Sequence, residues 1–127
     1  MTVAVQLQAT APVLVSPDVG ATAKWYEDHL RFKAALFPDR PPFEFAILFR
    51  DGIEIMLQRW GPAGLAPPAG DWHVYVRTTG VRELHEQLQG RVPIVDPLST
   101  KLYGCIEFVV EDPNGFRLVF SEEPLPS

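Results

Sequence analysis

Apolar and polar positions along the chain follow one order of elements twice. The first copy opens with a β-branched run at residues 13–15, which predicts a strand. Apolar residues then recur at helical spacing from Val19 to Leu30, and Asp18 can cap the first turn of that helix. Three more strands are predicted at Phe32 to Phe37, Phe43 to Phe49 and Ile53 to Gln58. An Asp51-Gly52 hairpin turn precedes the last of them.

The second half shows the same order. A strand over Val74-Tyr75-Val76 precedes a helix with apolar residues at 81, 84 and 88, which Gly90 ends. Aligning Gly52 with Gly115 predicts an internal duplication with a period of roughly 62 residues, although any two amphipathic hairpins align in this way. The last three strands are predicted at Val92 to Val95, Cys105 to Glu111 and Phe116 to Ser121. An Asp112-Pro113-Asn114-Gly115 turn precedes the last of them.

A stretch rich in glycine and proline separates the two halves. Proline lacks the amide that a strand ladder needs, and glycine weakens a strand, so residues 61–70 are predicted to be a linker. Module one then covers about 11–60 and module two about 71–122. With 127 residues in total, the chain is predicted to be a single domain, 1–127.

Composition and charge narrow the classes of function. A hydrophobic content of 46% with 21% charged residues is ordinary for a soluble globular protein. The net charge of −5 argues against binding to nucleic acid and is compatible with a cationic small molecule. A lone cysteine, Cys105, fits a reducing compartment, and no apolar run is long enough to span a membrane. The N-terminus has no basic leader, and Gln6 and Gln8 interrupt its apolar run, so a cytoplasmic location is expected.

Two motifs resemble a known family. They are Pro12-Val13-Leu14-Val15-Ser16-Pro17-Asp18 leading to Trp25-Tyr26, and the segment from Tyr103-Gly104 through Glu107-Phe108 to Asp112-Pro113-Asn114-Gly115. With the repeated strand, helix and three strands, they resemble the vicinal oxygen chelate superfamily of glyoxalases, dioxygenases and bleomycin-resistance proteins, from about Ala11 to Glu122. The second motif is most similar to the bleomycin-resistance branch, although Ile106 stands where that branch often has arginine. The resemblance implies an α+β fold in which two βαβββ modules form a cupped, curled mixed sheet with helices outside.

The resemblance also predicts where a metal would bind. Metal-using members place ligands on the first, fourth, fifth and eighth strands. The matching positions here are Ala11 (or Pro12), Met56, His73 and Val119, of which His73 alone is a good metal ligand. The expected cofactor is therefore none. The alternative is a divalent metal ion held by His73 and Glu54.

Strand alternation separates a continuously apolar face from a mixed one. Ile53, Ile55, Leu57, Phe116, Leu118 and Phe120 share the face that helices must cover. The opposite face carries acidic, basic and aromatic groups, which indicates a ligand pocket or, alternatively, a solvated outer surface. Trp60, Trp72 and Tyr103 are expected to add stacking walls. The predicted ligand-binding residues are Glu54, Met56, Gln58, Trp60, Trp72, His73, Tyr75, Tyr103, Glu107, Arg117 and Val119.

These observations lead to two functional hypotheses. The first is a metal-free protein that sequesters a cationic or aromatic small molecule, as antibiotic-resistance proteins of the bleomycin branch do. The second is a metal-dependent lyase, isomerase or dioxygenase of the same superfamily that uses His73 and Glu54; no catalytic residue is identified. A third is a scaffold that has lost its ligand. The resemblance further implies a homodimer, in which the apolar segment 1–10 can serve as an exchanged arm.

Overall fold

The computed structural model describes residues 3–61 and 70–124, so most of the predicted linker at 61–70 lies outside the described residues. Module one contains β1 (Val13–Ser16), α1 (Val19–Leu30), β2 (Lys33–Phe37), β3 (Phe45–Arg50) and β4 (Ile53–Arg59). Module two contains β5 (Val74–Arg77), α2 (Val81–Leu88), β6 (Ile94–Thr100), β7 (Ile106–Glu111) and β8 (Arg117–Glu122). Within these residues, neither helix is long and apolar enough to cross a membrane.

Each module builds its own four-stranded sheet with the same topology. The first sheet has the order β1-β4-β3-β2, and the second has the order β5-β8-β7-β6. In both sheets the opening strand pairs in parallel with the last strand of its module, and the other pairs are antiparallel. The predicted α+β fold of two βαβββ modules is confirmed.

The sixth strand differs most from its predicted position at Val92 to Val95. The backbone N–H of Val92 donates to the carbonyl of Leu88, the last residue of α2, at 3.3 Å. Val92 therefore belongs to the turn after α2 and not to a strand. The strand begins at Ile94 and continues to Thr100, with register shifts on either side of Asp96. Such shifts mark bulges, which are not visible in an alternation of apolar and polar residues.

The two helices obtain their N-terminal caps from different sources. Asp18 caps α1 as predicted, accepting a hydrogen bond from the Ala21 N–H at 3.0 Å. The equivalent residue of α2 is Gly80, which has no side chain and a φ of 80°. The Glu122 carboxylate, at the end of β8, accepts from the N–H groups of Gly80 and Val81 at 3.0 and 2.9 Å.

The hydrophobic core is one cluster that includes residues of both modules. The face predicted to lie under the helices is buried at Ile55, Leu57, Phe116, Leu118 and Phe120, whereas Ile53 at the start of β4 is 38% exposed. Buried polar contacts also join the modules, since the Tyr26 hydroxyl of α1 donates to Asp112 in the β7–β8 turn at 2.7 Å. The other side of each sheet points away from this core.

Candidate functional site

The outer face of the second sheet is the side that points away from the core cluster. Leu118 and Phe120 belong to that cluster, so Val119 between them points to the outer face. Val119 lies opposite Tyr75 on β5 and Val109 on β7. Val119 and Val109 are both buried, so the middle of this face is a packed floor and not the solvated surface of the alternative interpretation.

A buried carboxylate with two phenol partners lies on this floor. Glu107 is 0% exposed. Its Oε2 accepts from the Tyr75 hydroxyl at 2.9 Å, and its Oε1 accepts from the Tyr103 hydroxyl. The Tyr75 hydroxyl also lies 2.8 Å from the Ser121 Oγ. An ionised carboxylate only accepts, so Tyr75 donates its proton to Glu107 and accepts the proton of Ser121.

The two phenols are held in their protonated form. Desolvation of its hydroxyl raises the pKa of Tyr75, and the hydrogen bond to Glu107 adds to the rise while the one from Ser121 opposes it. Desolvation and the Glu107 carboxylate likewise raise the pKa of Tyr103 well above its ordinary value. Both hydroxyls therefore remain donors at neutral pH.

Exposed aromatic rings surround this buried charge. Trp72 is 46% exposed, and its ring centroid lies 5.5 Å from that of Tyr75. Tyr103 is 55% exposed. The Arg77 guanidinium carbon lies 5.5 Å from the centroid of the Tyr75 ring, so this ring already receives one cation. Rings of this kind offer apolar area and a negatively polarised face to a ligand.

His73 and Arg117 lie at the edge of this face, where hydrogen bonds and ion pairs hold their side chains. The Nδ1 of His73 accepts from the backbone N–H of Arg117 at 2.9 Å, and the His73 N–H donates to the Arg117 carbonyl at 3.0 Å. The imidazole packs edge-on against Phe116 of the core, with centroids 5.3 Å apart. The Arg117 guanidinium contacts the carboxylates of Glu111 at 3.5 Å and Asp71 at 3.7 Å. Arg117 therefore places at the rim a cation that already contacts two carboxylates.

The residues at the positions where the superfamily binds metal do not form a metal site. Val119 is apolar and fully buried. Met56 lies in the first sheet between Val13 and Ile47, and a thioether is a poor ligand for hard divalent ions. Nδ1 of His73 already accepts a backbone proton. Over 3–61 and 70–124, no three His, Cys, Asp or Glu side chains are placed to hold a metal ion.

Four of the predicted ligand-binding residues lie on the first sheet, apart from this cluster. Met56 is half-buried, whereas Glu54, Gln58 and Trp60 are exposed along β4 and its end. Their outer face also exposes Val13 (52%) and Phe49 (42%). The structure thus divides the predicted residues between two surfaces, and direct contacts join only some of those on the second sheet.

The cluster of Glu107, Tyr75, Tyr103 and Trp72 will be called the aromatic–carboxylate cluster. Strand parity puts Ser121 and Arg77 on the same face as Tyr75, but the sequence does not show that Ser121 bonds Tyr75. Nor did it show that Glu107 would be enclosed by two phenols, because Tyr103 reaches it from a turn. The signal in the sequence was that alternation places the carboxylate of Glu107 on the same sheet face as aromatic residues such as Tyr75.

The family of the chain follows from a comparison with family models. Residues 7–120 match the model of the Glyoxalase/Bleomycin resistance protein/Dioxygenase superfamily. The chain belongs to this superfamily. No curated protein sequence matches the chain significantly.

Several solved structures share the fold at low sequence identity. TioX from Micromonospora sp. ML1 is 23% identical, with a TM-score of 0.75 over 92% of this chain and 99% of that one. The bleomycin-binding protein from bleomycin-producing Streptomyces verticillus, complexed with copper(II)-bleomycin, is 23% identical, with a TM-score of 0.71 over 95% and 100%. Lactoylglutathione lyase from Agrobacterium tumefaciens is 16% identical, with a TM-score of 0.68 over 91% and 92%. Binding proteins and enzymes thus share this architecture.

Proposed function

We propose that the chain is a metal-free small-molecule binding protein that sequesters an aromatic cation at the aromatic–carboxylate cluster. The observation that carries the proposal is Glu107, a fully buried carboxylate whose two described hydrogen-bond donors are neutral phenols. Its negative charge is therefore not cancelled by these partners, and it lies beneath aromatic rings that reach solvent. A cation stacked on those rings approaches this charge without displacing the phenols.

Two physical effects favour such a ligand. Trp72 and Tyr103 provide exposed aromatic faces, and a cation over an aromatic face gains about 0.5–2 kcal/mol, the larger value in a desolvated site. The buried carboxylate adds a Coulomb attraction that the low-dielectric surroundings screen less than bulk water does. The net charge of −5 adds a weaker long-range attraction for cations.

The superfamily supports binding as a function. One structural neighbour is a bleomycin-binding protein solved with copper(II)-bleomycin, and another is a bleomycin resistance determinant encoded on the transposon Tn5. For this chain, sequestration of an antibiotic in the cytoplasm is a proposal that rests on the cluster, and the compound itself is to be found by screening. Nucleic acid remains an unfavoured partner on charge grounds.

A homodimer is part of the proposal. The outer face of the first sheet exposes Val13 and Phe49, and the neighbouring Phe37 is also exposed. Large apolar side chains exposed on one sheet face are typical of an interface. The extended N-terminal residues Val3, Val5 and Leu7 are exposed as well, and they provide the arm that a second copy can receive.

A charge-matched pair of ligands tests the binding proposal. We expect phenyltrimethylammonium to bind about tenfold more tightly than its uncharged isostere tert-butylbenzene. Glu107→Gln removes the charge and retains one acceptor oxygen, so it should abolish that preference. Glu111→Gln is the matched control on the same strand, because Glu111 is half-buried and pairs with Arg117. Equal binding of both ligands to the native chain would contradict the proposal.

The second candidate function is a metal-dependent lyase, isomerase or dioxygenase using His73 and Glu54, since a structural neighbour is a lactoylglutathione lyase. The residues at the ligand positions do not fit a metal, so no step is derived through one. Elemental analysis of the native protein and His73→Ala, both prepared without chelators, separates the two functions. We expect no stoichiometric metal in either; a full equivalent that disappears in the variant would establish the metalloenzyme.

A further inference from the structure

A groove of about 480 Å³ lies between the two modules, and it is lined by other residues than the four of the aromatic–carboxylate cluster. One wall is the β3–β4 turn of module one, with Arg50 and Asp51. The other wall is the β5–α2 loop and the exposed side of α2, with Thr78 and Gln87. Its volume is within the range of about 300–1,000 Å³ that is typical of small-molecule sites.

The internal repeat shows that this opening is not required by the fold. At the equivalent junction on the other side of the molecule, the Ser16 and Thr22 hydroxyls are 2.8 Å apart. Asn114 in the β7–β8 turn donates to the Thr22 hydroxyl at 2.8 Å. With the Tyr26–Asp112 hydrogen bond, these contacts join that turn directly to α1. One copy of the junction is therefore closed by hydrogen bonds.

The groove has different residues at the equivalent positions. The N-caps Asp18 and Gly80 align, which places Thr78 where Ser16 stands and Leu84 where Thr22 stands. Leu84 has no hydroxyl for a turn to bind. The β3–β4 turn is also one residue shorter than the β7–β8 turn between equivalent ladder pairs, Phe49–Glu54 and Glu111–Arg117. Both changes leave the space open.

The floor of the groove is apolar and aromatic. It is formed by Leu30 and Phe32 of module one and by Val76, Leu84 and Phe120 of module two. Side chains from both modules thus meet at a concave apolar surface, where a flat apolar molecule removes area from water on two sides. At about 25 cal/mol per Å² of apolar surface, such burial is the main source of affinity for a small ligand.

The exposure of the charged side chains that line the groove indicates which sign of ligand charge the groove favours. The Arg50 side chain is 36% exposed and donates to the Leu30 carbonyl at 2.8 Å, whereas its partner Asp51 is 83% exposed. Glu83 is also exposed, and Arg77 is paired outward with Glu123. Exposed carboxylates are well screened by water and contribute little. The least solvated charge facing the groove is therefore the Arg50 guanidinium, which has five N–H donors.

We propose that this groove is a second ligand site, which takes a small aromatic molecule with one anionic group. The aromatic part lies on the floor between Phe32 and Phe120, and the anion faces Arg50. Arg50 also holds the Leu30 carbonyl at the end of α1, so ligand binding bears on a contact within module one.

Anilinonaphthalene sulfonate and its uncharged analogue N-phenylnaphthylamine are suitable probes, with binding followed by backbone amide NMR shifts of the full chain. We expect the sulfonate to shift the signals of the β3–β4 turn and of α2, and to bind more tightly than the uncharged analogue. Gln87→Trp places an indole in the groove from an exposed position and should weaken sulfonate binding there by about tenfold or more. Glu86→Trp is the matched control, because Glu86 is exposed on the same helix but does not line the groove.

Three outcomes would overturn the proposal. The first is that the shifts fall on the first-sheet outer face alone. The second is that Gln87→Trp binds the sulfonate as tightly as the control variant does. Equal affinity for the two probes would refute the anionic part of the assignment. Amide spectra of both variants report whether each is folded, so loss of structure is distinguishable from loss of the site.

Discussion

The hydrogen bond between Tyr26 and Asp112 can be removed without disturbing the packing around it. Tyr26 is 0% exposed, and its hydroxyl lies 2.7 Å from the Asp112 Oδ2. Tyr26→Phe deletes only this hydroxyl and keeps the ring contact with Phe32. The other oxygen of Asp112 keeps its two backbone donors, the N–H groups of Asn114 and Phe116, at 2.8 and 2.9 Å.

The expected loss follows from the charge and burial of the acceptor. A hydrogen bond to a charged group contributes about 1.5–3 kcal/mol, and Asp112 is 4% exposed, so water has little access to the vacated oxygen. We therefore expect Tyr26→Phe to lower the free energy of unfolding by about 2 kcal/mol at neutral pH. Urea denaturation followed by circular dichroism measures this value.

The loss of unfolding free energy caused by Tyr26→Phe should depend on pH in a defined direction. Burial raises the pKa of Asp112, and the Tyr26 hydrogen bond is among the contacts that lower it. Deleting that bond raises the folded-state pKa further above the unfolded value. A carboxyl whose folded pKa is raised loses stability as pH increases through the interval between those values. The cost of Tyr26→Phe is therefore greatest at neutral pH and shrinks as the pH falls toward 3.8, the ordinary value.

Asp112→Asn supplies the control background. With the carboxylate replaced, Tyr26→Phe should cost less than it does in the native chain, and its cost should no longer vary with pH in the acid range. A loss below about 0.5 kcal/mol at neutral pH, the size of an ordinary surface substitution, would refute the argument. So would a cost that grows on acidification.

Three further predictions concern assembly, backbone and metal. Phe49→Glu places a charge on the exposed apolar face of the first sheet, so sedimentation should show a single 14.2 kDa chain in place of a dimer. A native chain that is already monomeric would exclude the proposed interface. Gly115→Ala should destabilise the chain by about 1–2 kcal/mol in urea melts, because Gly115 has a φ of 87°, whereas Ala substitution at the exposed Lys24 should have little effect. Val119→Glu should produce no metal-dependent lactoylglutathione lyase activity, because Met56 still occupies a ligand position; detectable turnover would show that the ligand positions are misassigned.

Much of the fold was predictable from alternation and turn residues. The helix from Val19 to Leu30, its Asp18 cap and the buried face that includes Leu118 are confirmed, because each depends on local spacing or on a local hydrogen bond. The extent of β6 was not predictable, since bulges near Asp96 depend on pairing with β7. The confirmed parts are those whose causes lie within a few residues.

The candidate site was predictable only as a set of residues on the right faces. Alternation placed Tyr75, Glu107 and Val119 together on the outer face, and register pairs Val119 with Tyr75. The phenol of Tyr103 reaches Glu107 from a turn whose path depends on the β6–β7 connection, which no periodicity describes. The groove beside Arg50 depends on the packing of two modules, and its lining residues are far apart in sequence.

The source of the cap on α2 has a consequence for the order of events during synthesis. Helix α1 has its cap from Asp18, only one residue ahead of it, so its cap residue is made just before the helix itself. Helix α2 begins at Val81 but depends on Glu122, 41 residues later. Until the last strand has emerged, the amides of Gly80 and Val81 have water as their partner. The cap of the first helix is thus available when α1 is made, whereas the cap of the second becomes available only after β8 has been made.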